Sequence, residues 1–298
     1  MKRMHDDEVA VDDETVRRLV AEQFADIAHL PIRRIESTGT VNALFRIGDG
    51  YVARLPLLQE WSDDIEREWR WIPWFSGRLT SVRLPEPIFK GTPDGSYPFL
   101  WSVYRWIDGA PYDDALVDDE RSAAETLARF VLELRSLAVV DGAPKGGRDP
   151  LRELDEDTRE AIEGSAGVID VDAAMRVWEE ALESPAWDGE RSWIHGDLLR
   201  PNLLVRDGRL EAVIDFGFIG VGDPATDLMP AWSVFGPVGK GVFRSMLDPD
   251  EGTWSRGRGI ALHQAAMVIP YYRETNPAFV ELSRRAIEQI LDDARLRR

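Results

Sequence analysis

Cysteine is absent from the chain. Disulfides, thiolate metal sites and cysteine nucleophiles are therefore excluded, while the redox compartment is left open. Lysine is nearly as scarce: Lys2, Lys90, Lys145 and Lys240 stand against 32 arginines. Histidine occurs only at 5, 29, 195 and 263, a scatter that offers no zinc-binding spacing. No apolar run approaches the ~20 residues of a membrane-spanning helix. The acidic stretch Met1 to Asp13 lacks the apolar core of an export signal, so a cytoplasmic chain with no membrane role is expected. Internal repeats and low-complexity tracts are missing too. Positive charge is in short supply, with 36 basic against 54 acidic residues and a net charge of −18. Such a surface repels phosphate backbones, which sets nucleic-acid binding aside. The imbalance is uneven: residues 1–109 carry −4 and residues 110–298 carry −14. An acidic second half either draws a cationic small molecule through its field or only keeps a helical domain soluble.

What is present reads as an ordinary globular chain of 298 residues, 44% hydrophobic, with room for one or two domains. Apolar side chains at helical spacing mark residues 13–28, closed by Pro31. Strand patterns follow at Ile32–Glu36, Leu44–Ile47 and Tyr51–Leu55, the last two joined by the hairpin signal Gly48-Asp49-Gly50. A charged helix at about Trp61–Phe75, interrupted near Pro73, precedes two more strands, Ile88–Gly91 and Leu100–Trp106. The turn tetrad Thr92-Pro93-Asp94-Gly95 separates that pair. Beyond Asp108-Gly109-Ala110-Pro111 the pattern changes. Helices are expected at 119–138, 172–183 and 277–296, with a Gly/Pro-rich loop at 141–150 and two short strands, Leu203–Arg206 and Leu210–Ile214. The expected organisation is α+β: a five-stranded antiparallel sheet with one helix in residues 1–106, then a larger, mostly helical lobe in residues 107–298.

The densest chemical signal lies between 195 and 227. His195-Gly196-Asp197-Leu198-Leu199-Arg200-Pro201-Asn202 places a carboxylate five positions before an amide, and Ile214-Asp215-Phe216-Gly217 follows thirteen residues after Asn202. That spacing fits phosphoryl transfer. Asp197 would accept the proton of an attacking hydroxyl, and Asn202 and Asp215 would ligate Mg2+. Gly217 would let the chain turn away from Asp215. Neither motif is specific alone; the two at this spacing, after a β-rich first lobe, are.

These motifs, with Gly222-Asp223-Pro224-Ala225 and Asp227-Leu228 beyond them, resemble the aminoglycoside phosphotransferase family. So do the loop Thr38-Gly39-Thr40-Val41-Asn42-Ala43 and the hinge-like run Tyr104-Arg105-Trp106-Ile107-Asp108-Gly109. The likeness covers nearly the whole chain. It implies a two-lobed protein-kinase-like fold, ATP or GTP as donor, Mg2+, and an antibiotic acceptor, an aminoglycoside or a macrolide. A metabolic kinase of the same fold, acting on choline, homoserine or a sugar, is the main alternative; a nucleotide-binding module without turnover is the other. A nucleotide contact is implied for Tyr104 and Trp106, with the base meeting backbone groups near Trp106. A monomer is expected.

Three features stretch the pattern. Arg54 stands in Val52-Ala53-Arg54-Leu55-Pro56 where a lysine is usual, and its guanidinium would bind phosphate oxygens. Gly39 is the single glycine of the phosphate loop, so Ser37, Thr38 and Thr40 would help to cover the phosphates while Asn42 caps a turn or joins them. Arg200 sits inside the catalytic loop, free to face a phosphate or an acidic surface. Glu68 is the expected partner of Arg54, with Glu66 its competitor. Asp227 is expected to cap a helix and hold the His195 loop, with His195 an orienting residue. Trp232, Phe235, Trp254, Tyr271, Tyr272 and Glu274 are candidates to line the acceptor site.

Overall fold

The computed structural model of the chain describes residues 9–35 and 41–295. The chain divides into two compact units. The first comprises Met1–Arg78, Leu84–Asp108 and Ile214–Gly217; the second comprises Leu79–Arg83, Gly109–Val213 and Phe218–Arg298. Two short segments thus cross any single boundary near 106, and one of them carries Asp215.

In the first unit, helix α1 (Asp13–Gln23) starts at Asp12, whose carboxylate accepts the Thr15 amide. It leads to strands β1 (Ile32–Ile35), β2 (Asn42–Ile47) and β3 (Tyr51–Pro56), helix α2 (Ser62–Phe75), and strands β4 (Pro87–Gly91) and β5 (Trp101–Arg105). The five strands form one sheet in the order β1-β2-β3-β5-β4, antiparallel throughout. Alternation in β2 turns Ala43, Phe45 and Ile47 inward, against Val16, Leu19 and Val20 of α1 and Trp101 of β5. Helix α2 continues through Pro73 to Phe75 and does not break there. Proline removes one donor near the helix end, and burial of Ile72 and Phe75 holds that last turn on the unit's core. The same buried stripe contains Ile65 and Glu68, so a carboxylate lies on the face where only apolar side chains would normally be tolerated.

In the second unit, β6 (Ala110–Pro111) is followed by α3 (Glu120–Ser136), α4 (Asp155–Gly164), α5 (Val171–Leu182), β7 (Ser192–Ile194), β8 (Leu203–Arg206), β9 (Arg209–Val213) and β10 (Gly220–Gly222). Helices α6 (Pro230–Ser233), α7 (Pro237–Leu247), α8 (Glu251–Tyr272) and α9 (Pro277–Arg295) complete it. Strands β8 and β9 close a hairpin over Asp207 and Gly208, both at positive φ, and β6 pairs with β8. Strands β7 and β10 pair antiparallel, Ile194 opposite Gly220. Helix α8 is buried almost all round and packs on α4, α5 and α9. Helix α4 and strands β7 and β10 were not foreseen from sequence. Trp232, Phe235 and Trp254 are fully buried in this unit, so they are core residues and not acceptor lining as expected; only Tyr271 of that group is a large exposed apolar side chain. No helix among the described residues is long and apolar enough to cross a membrane.

Candidate active site

In the first unit a cluster forms around Arg54 on β3. Its Nη1 donates to Glu68 Oε1 at 2.7 Å and its Nη2 to Asp215 Oδ1 at 2.9 Å, from a residue 161 positions away. Glu66 is excluded as the partner: it pairs with Lys90 at 2.8 Å on the exposed side of α2. Asn42, opposite Pro56 across the sheet, completes the guanidinium's surroundings. In the amide orientation that turns its oxygen toward the guanidinium, that oxygen accepts from Arg54 Nε at 2.9 Å and Nη2 at 3.1 Å.

Glu68 is 1% exposed, and every bond it makes ties down a different segment. Besides Arg54 it accepts the Phe216 amide at 2.7 Å and the Tyr104 hydroxyl. Burial raises its pKa, with Arg54 opposing that shift. Burial would depress the Arg54 guanidinium, but Asp215 and Glu68 outweigh it and hold the group well above its ordinary value. Arg54 therefore stays charged. Asp64, one turn before Glu68, is pushed up to about 7 by burial, with Arg54 pulling the other way and Asp215 adding to the rise.

Three expectations are refined here. Asp215, not Gly217, takes the left-handed conformation, at φ 63°. Gly217 is needed for space instead, since a Cβ there would lie 3.0 Å from the Asp64 carboxylate. The Tyr104 side chain is buried and spent on Glu68, because its β5 position points it at α2. The Trp106 amide donates to Gly50 O at 2.8 Å; the indole N–H donates to Asp108 at 2.8 Å, and Arg46 covers the ring. That amide is thus already taken by the β2–β3 turn. Ser37, Thr38, Gly39 and Thr40 lie outside the described residues.

In the second unit the loop after β7 carries Asp197. Its Oδ2 accepts Asn202 Nδ2 at 2.8 Å, and the same Nδ2 donates to Asp197 O at 2.9 Å. The loop is held from below by Asp227, fully buried, which accepts the amides of His195 at 2.8 Å and Gly196 at 2.9 Å. Burial raises the Asp227 pKa against those two bonds and Arg135. Asp227 is thus the loop's anchor, as its sequence position suggests. Gly196, at φ 87°, lies where a Cβ would strike Phe218 O at 2.8 Å. Arg200 does not face a phosphate. Its guanidinium is buried, donating to Ser233 O at 3.2 Å and to Asp114 at 2.7 Å, with a further bond to Val234 O and the Tyr112 ring beneath it. Those acceptors, together with a low exposure of 5%, fix it as a brace of the loop.

Sequence reading missed Arg148. Its Nη2 donates to Asp197 Oδ1 at 3.2 Å, and its guanidinium lies over the Phe218 ring at 5.3 Å. The available signal was Gly146-Gly147 just before it: a Cβ on Gly146 would meet Gly220 at 2.6 Å, so the pair exists to bring this loop against β10.

The donor types suit a hard divalent cation. In the first unit Asp215 offers a carboxylate; in the second, Asn202, with its NH2 turned to Asp197, leaves its amide oxygen as a neutral oxygen donor. Magnesium is commonly held by one or two such protein oxygens and completes its shell with water and phosphate oxygens.

Known proteins were compared with the chain. It is 27% identical over 157 residues to the uncharacterized protein YcbJ of Bacillus subtilis (strain 168); the match takes in 50% of this chain and 48% of YcbJ, about half of that protein's length. The GDP and kanamycin complex of APH(2″)-IIIa superposes with a TM-score of 0.73, covering 94% of this chain and 98% of the other at 18% identity. Macrolide 2′-phosphotransferase type I gives 0.61, covering 95% and 98%, again at 18% identity. These likenesses establish the two-part kinase-like fold. The description of the phosphotransferase enzyme family matches residues 32–260. With more than three quarters of its length inside that match, the chain belongs to the phosphotransferase enzyme family.

Proposed function

We propose that the chain transfers the γ-phosphoryl group of ATP or GTP to a hydroxyl of a small molecule, an aminoglycoside or macrolide antibiotic. The observation that carries this reading is the Arg54 guanidinium shared between Glu68 and Asp215, which gives a buried cation a fixed aim beside an aspartate at the end of a strand. In this reading Arg54, Asn42 and the loop Ser37-Thr38-Gly39-Thr40 contact the phosphates, and the Tyr104–Trp106 segment borders the nucleobase. Asn202 and Asp215 are the residues that would hold magnesium, which when bound would offset negative charge on the phosphate oxygens. Glu68 acts one step away, by holding Arg54.

Asp197 receives the proton of the acceptor hydroxyl as that oxygen bonds to phosphorus. The bond to the donor's bridging oxygen breaks, and its electron pair leaves on the nucleoside diphosphate. Little covalent help is needed, so orientation of the hydroxyl by a rigid Asp197 supplies much of the effect. Asn202 and Asp227 provide that rigidity. GDP and ADP complexes among structures of this fold and kanamycin bound in one of them support a nucleotide donor and an antibiotic acceptor.

The test is a nucleoside-diphosphate release assay across aminoglycosides, macrolides and primary metabolites, run with Asp197→Ala alongside. Turnover of one antibiotic that disappears in Asp197→Ala, with nucleotide affinity retained, is the expected result. Response to a primary metabolite alone would move the acceptor out of the antibiotic class. Retained turnover in Asp197→Ala would remove Asp197 as the base.

A further inference from the structure

Arg148 has no part in the chemistry above, yet it touches the residue at its centre. Its Nη2 reaches Asp197 Oδ1 at 3.2 Å, while the other oxygen of that carboxylate is taken by Asn202. The Arg148 side chain is 14% exposed, and its Nε is buried without a hydrogen-bond partner among the described residues. A guanidinium carries five donors in a rigid fork. Burying one with a single long bond is unfavourable, and unpaired buried donors of this kind call for an explanation.

The segment is built to keep it there. Gly146 donates to Val221 O at 3.0 Å and Gly147 to Phe218 O at 3.2 Å. Gly147 sits at φ 70°, and a Cβ on Gly146 would collide with the Gly220 backbone at 2.6 Å. Phe218, one of the few large exposed apolar side chains at 39%, supports the guanidinium plane. His263 does not compete for it: burial and Arg148 itself push the imidazole down to about 4, and its Nδ1 is paired with the Thr158 hydroxyl at 2.8 Å. Asp149, the neighbouring acid, is occupied by Lys145 at 2.6 Å. The loop therefore offers a fixed cation at the base with donors to spare and, among the described residues, no further carboxylate bonded to it.

We infer that Arg148 is an additional catalytic residue, which binds a phosphoryl oxyanion beside Asp197. The inference rests on the phosphotransferase reading above. Negative charge spreads over the three non-bridging oxygens of a phosphoryl group in flight. Asp197, an anion itself, would repel it. A guanidinium bonded to that carboxylate cancels the repulsion and presents its remaining N–H groups to the oxygens, in the forked geometry that suits phosphate. Loss of one such oriented donor lowers kcat by roughly 10²-fold in comparable oxyanion sites.

The experiment measures MgADP and MgGDP affinity with and without tetrafluoroaluminate, for the full chain and for Arg148→Gln and Arg148→Lys. The wild type should bind the nucleotide more tightly with the fluoride complex. Arg148→Gln should lose at least tenfold of that tightening, Arg148→Lys should keep most of it, and affinity for the nucleotide alone should be equal in all three. That last equality also shows that the variants are folded. A second arm titrates inorganic phosphate without nucleotide. Binding that Arg148→Gln loses there assigns the oxyanion to free phosphate or a phosphorylated product; loss confined to the first arm assigns it to the group in transfer. Two results overturn the inference while the phosphotransferase reading stands: a wild type that binds nucleotide but gains nothing from tetrafluoroaluminate, and a Gln variant unchanged in both arms. A wild type that binds neither nucleotide overturns the reading itself, and the inference with it.

Discussion

Arginine at position 54 does something lysine could not. Its fork serves three partners at once, Glu68 through Nη1, Asp215 through Nη2 and Asn42 through Nε and Nη2, whereas an ammonium is a single point of charge on a flexible stem. The near-exclusion of lysine from the chain thus has a structural consequence at this position. Buried charge of this sort is tolerated when hydrogen bonds satisfy both carboxylate oxygens, and Glu68 does so with two donors on Oε1 and one on Oε2. A second buried polar group makes a measurable case at the same scale. His263 is 8% exposed and neutral in the folded chain, held down at about 4 by burial and by Arg148. Unfolded, it titrates near 6.5. Between pH 6.5 and 4 the unfolded chain therefore binds more protons, so the stability that neutral His263 contributes is complete above pH 6.5 and is lost as pH falls through that window. The loss is on the order of 3 kcal/mol from the size of the shift. Thermal melts of wild type and His263→Gln at several pH values should show the two curves converging as pH falls from 7 to 4. Parallel curves would mean that the imidazole is already solvated.

At the scale of elements, strand order and the catalytic loop follow from different kinds of information. The five-stranded sheet was legible because its strands either alternate, as β2 does, or cluster β-favouring residues, as β3 and β5 do, and because turn residues separate them, as with Gly48 at φ 53° after β2. The β8–β9 hairpin was legible for the same reason, through Asp207-Gly208. Strands β7 and β10 were not: each has three residues, and Gly220–Gly222 carries no apolar pattern to read. They are defined by pairing with each other and by the Gly146-Gly147 backbone beside β10, which is tertiary information. Helix α4 escaped because its first turn is all acid, Asp155-Glu156-Asp157, and reads as solvated charge. Of the candidate site, Asp197, Asn202 and Asp215 were singled out by motif spacing and Arg54 by its place on the third strand; Arg148 and the Tyr104–Glu68 bond were not, since neither has a fixed spacing to the motifs. The loop after β7 depends on Asp227, 31 residues beyond Gly196. Asp227→Asn should replace one acceptor by a donor facing two amides, at about 1–3 kcal/mol for the unpaired group. The melting temperature should fall by several degrees, and kcat should drop at least tenfold with the nucleotide KM unchanged. A fall in stability without any fall in kcat would show that the loop's geometry survives without its anchor.

For the whole molecule, charge would decide how the nucleotide of the proposed reaction is received. The chain carries −18, and a triphosphate is itself strongly anionic, so the long-range field opposes binding. Locally the first unit places Arg54 among Asp215, Glu68 and Asp64, three acids around one cation. Arg54 alone cannot reverse that balance, and its charge is already shared. A divalent cation that brings two positive charges with the triphosphate changes the sign of the encounter. Nucleotide binding should therefore depend on magnesium more steeply than on any side chain of the phosphate loop. Binding to the folded state alone raises stability by about 2.7 kcal/mol when ligand reaches a hundred times its Kd. ATP or GTP with magnesium should raise the melting temperature accordingly, and the same nucleotide with excess EDTA should leave it unmoved. Raising ionic strength in EDTA should recover only a small part of the shift, since screening weakens repulsion without supplying a ligand to bridge carboxylate and phosphate. Asp215→Asn should halve the shift or more in magnesium and change nothing in EDTA. An equal shift with and without magnesium would mean that the triphosphate is held by protein cations, and the roles given to Asn202 and Asp215 would fall.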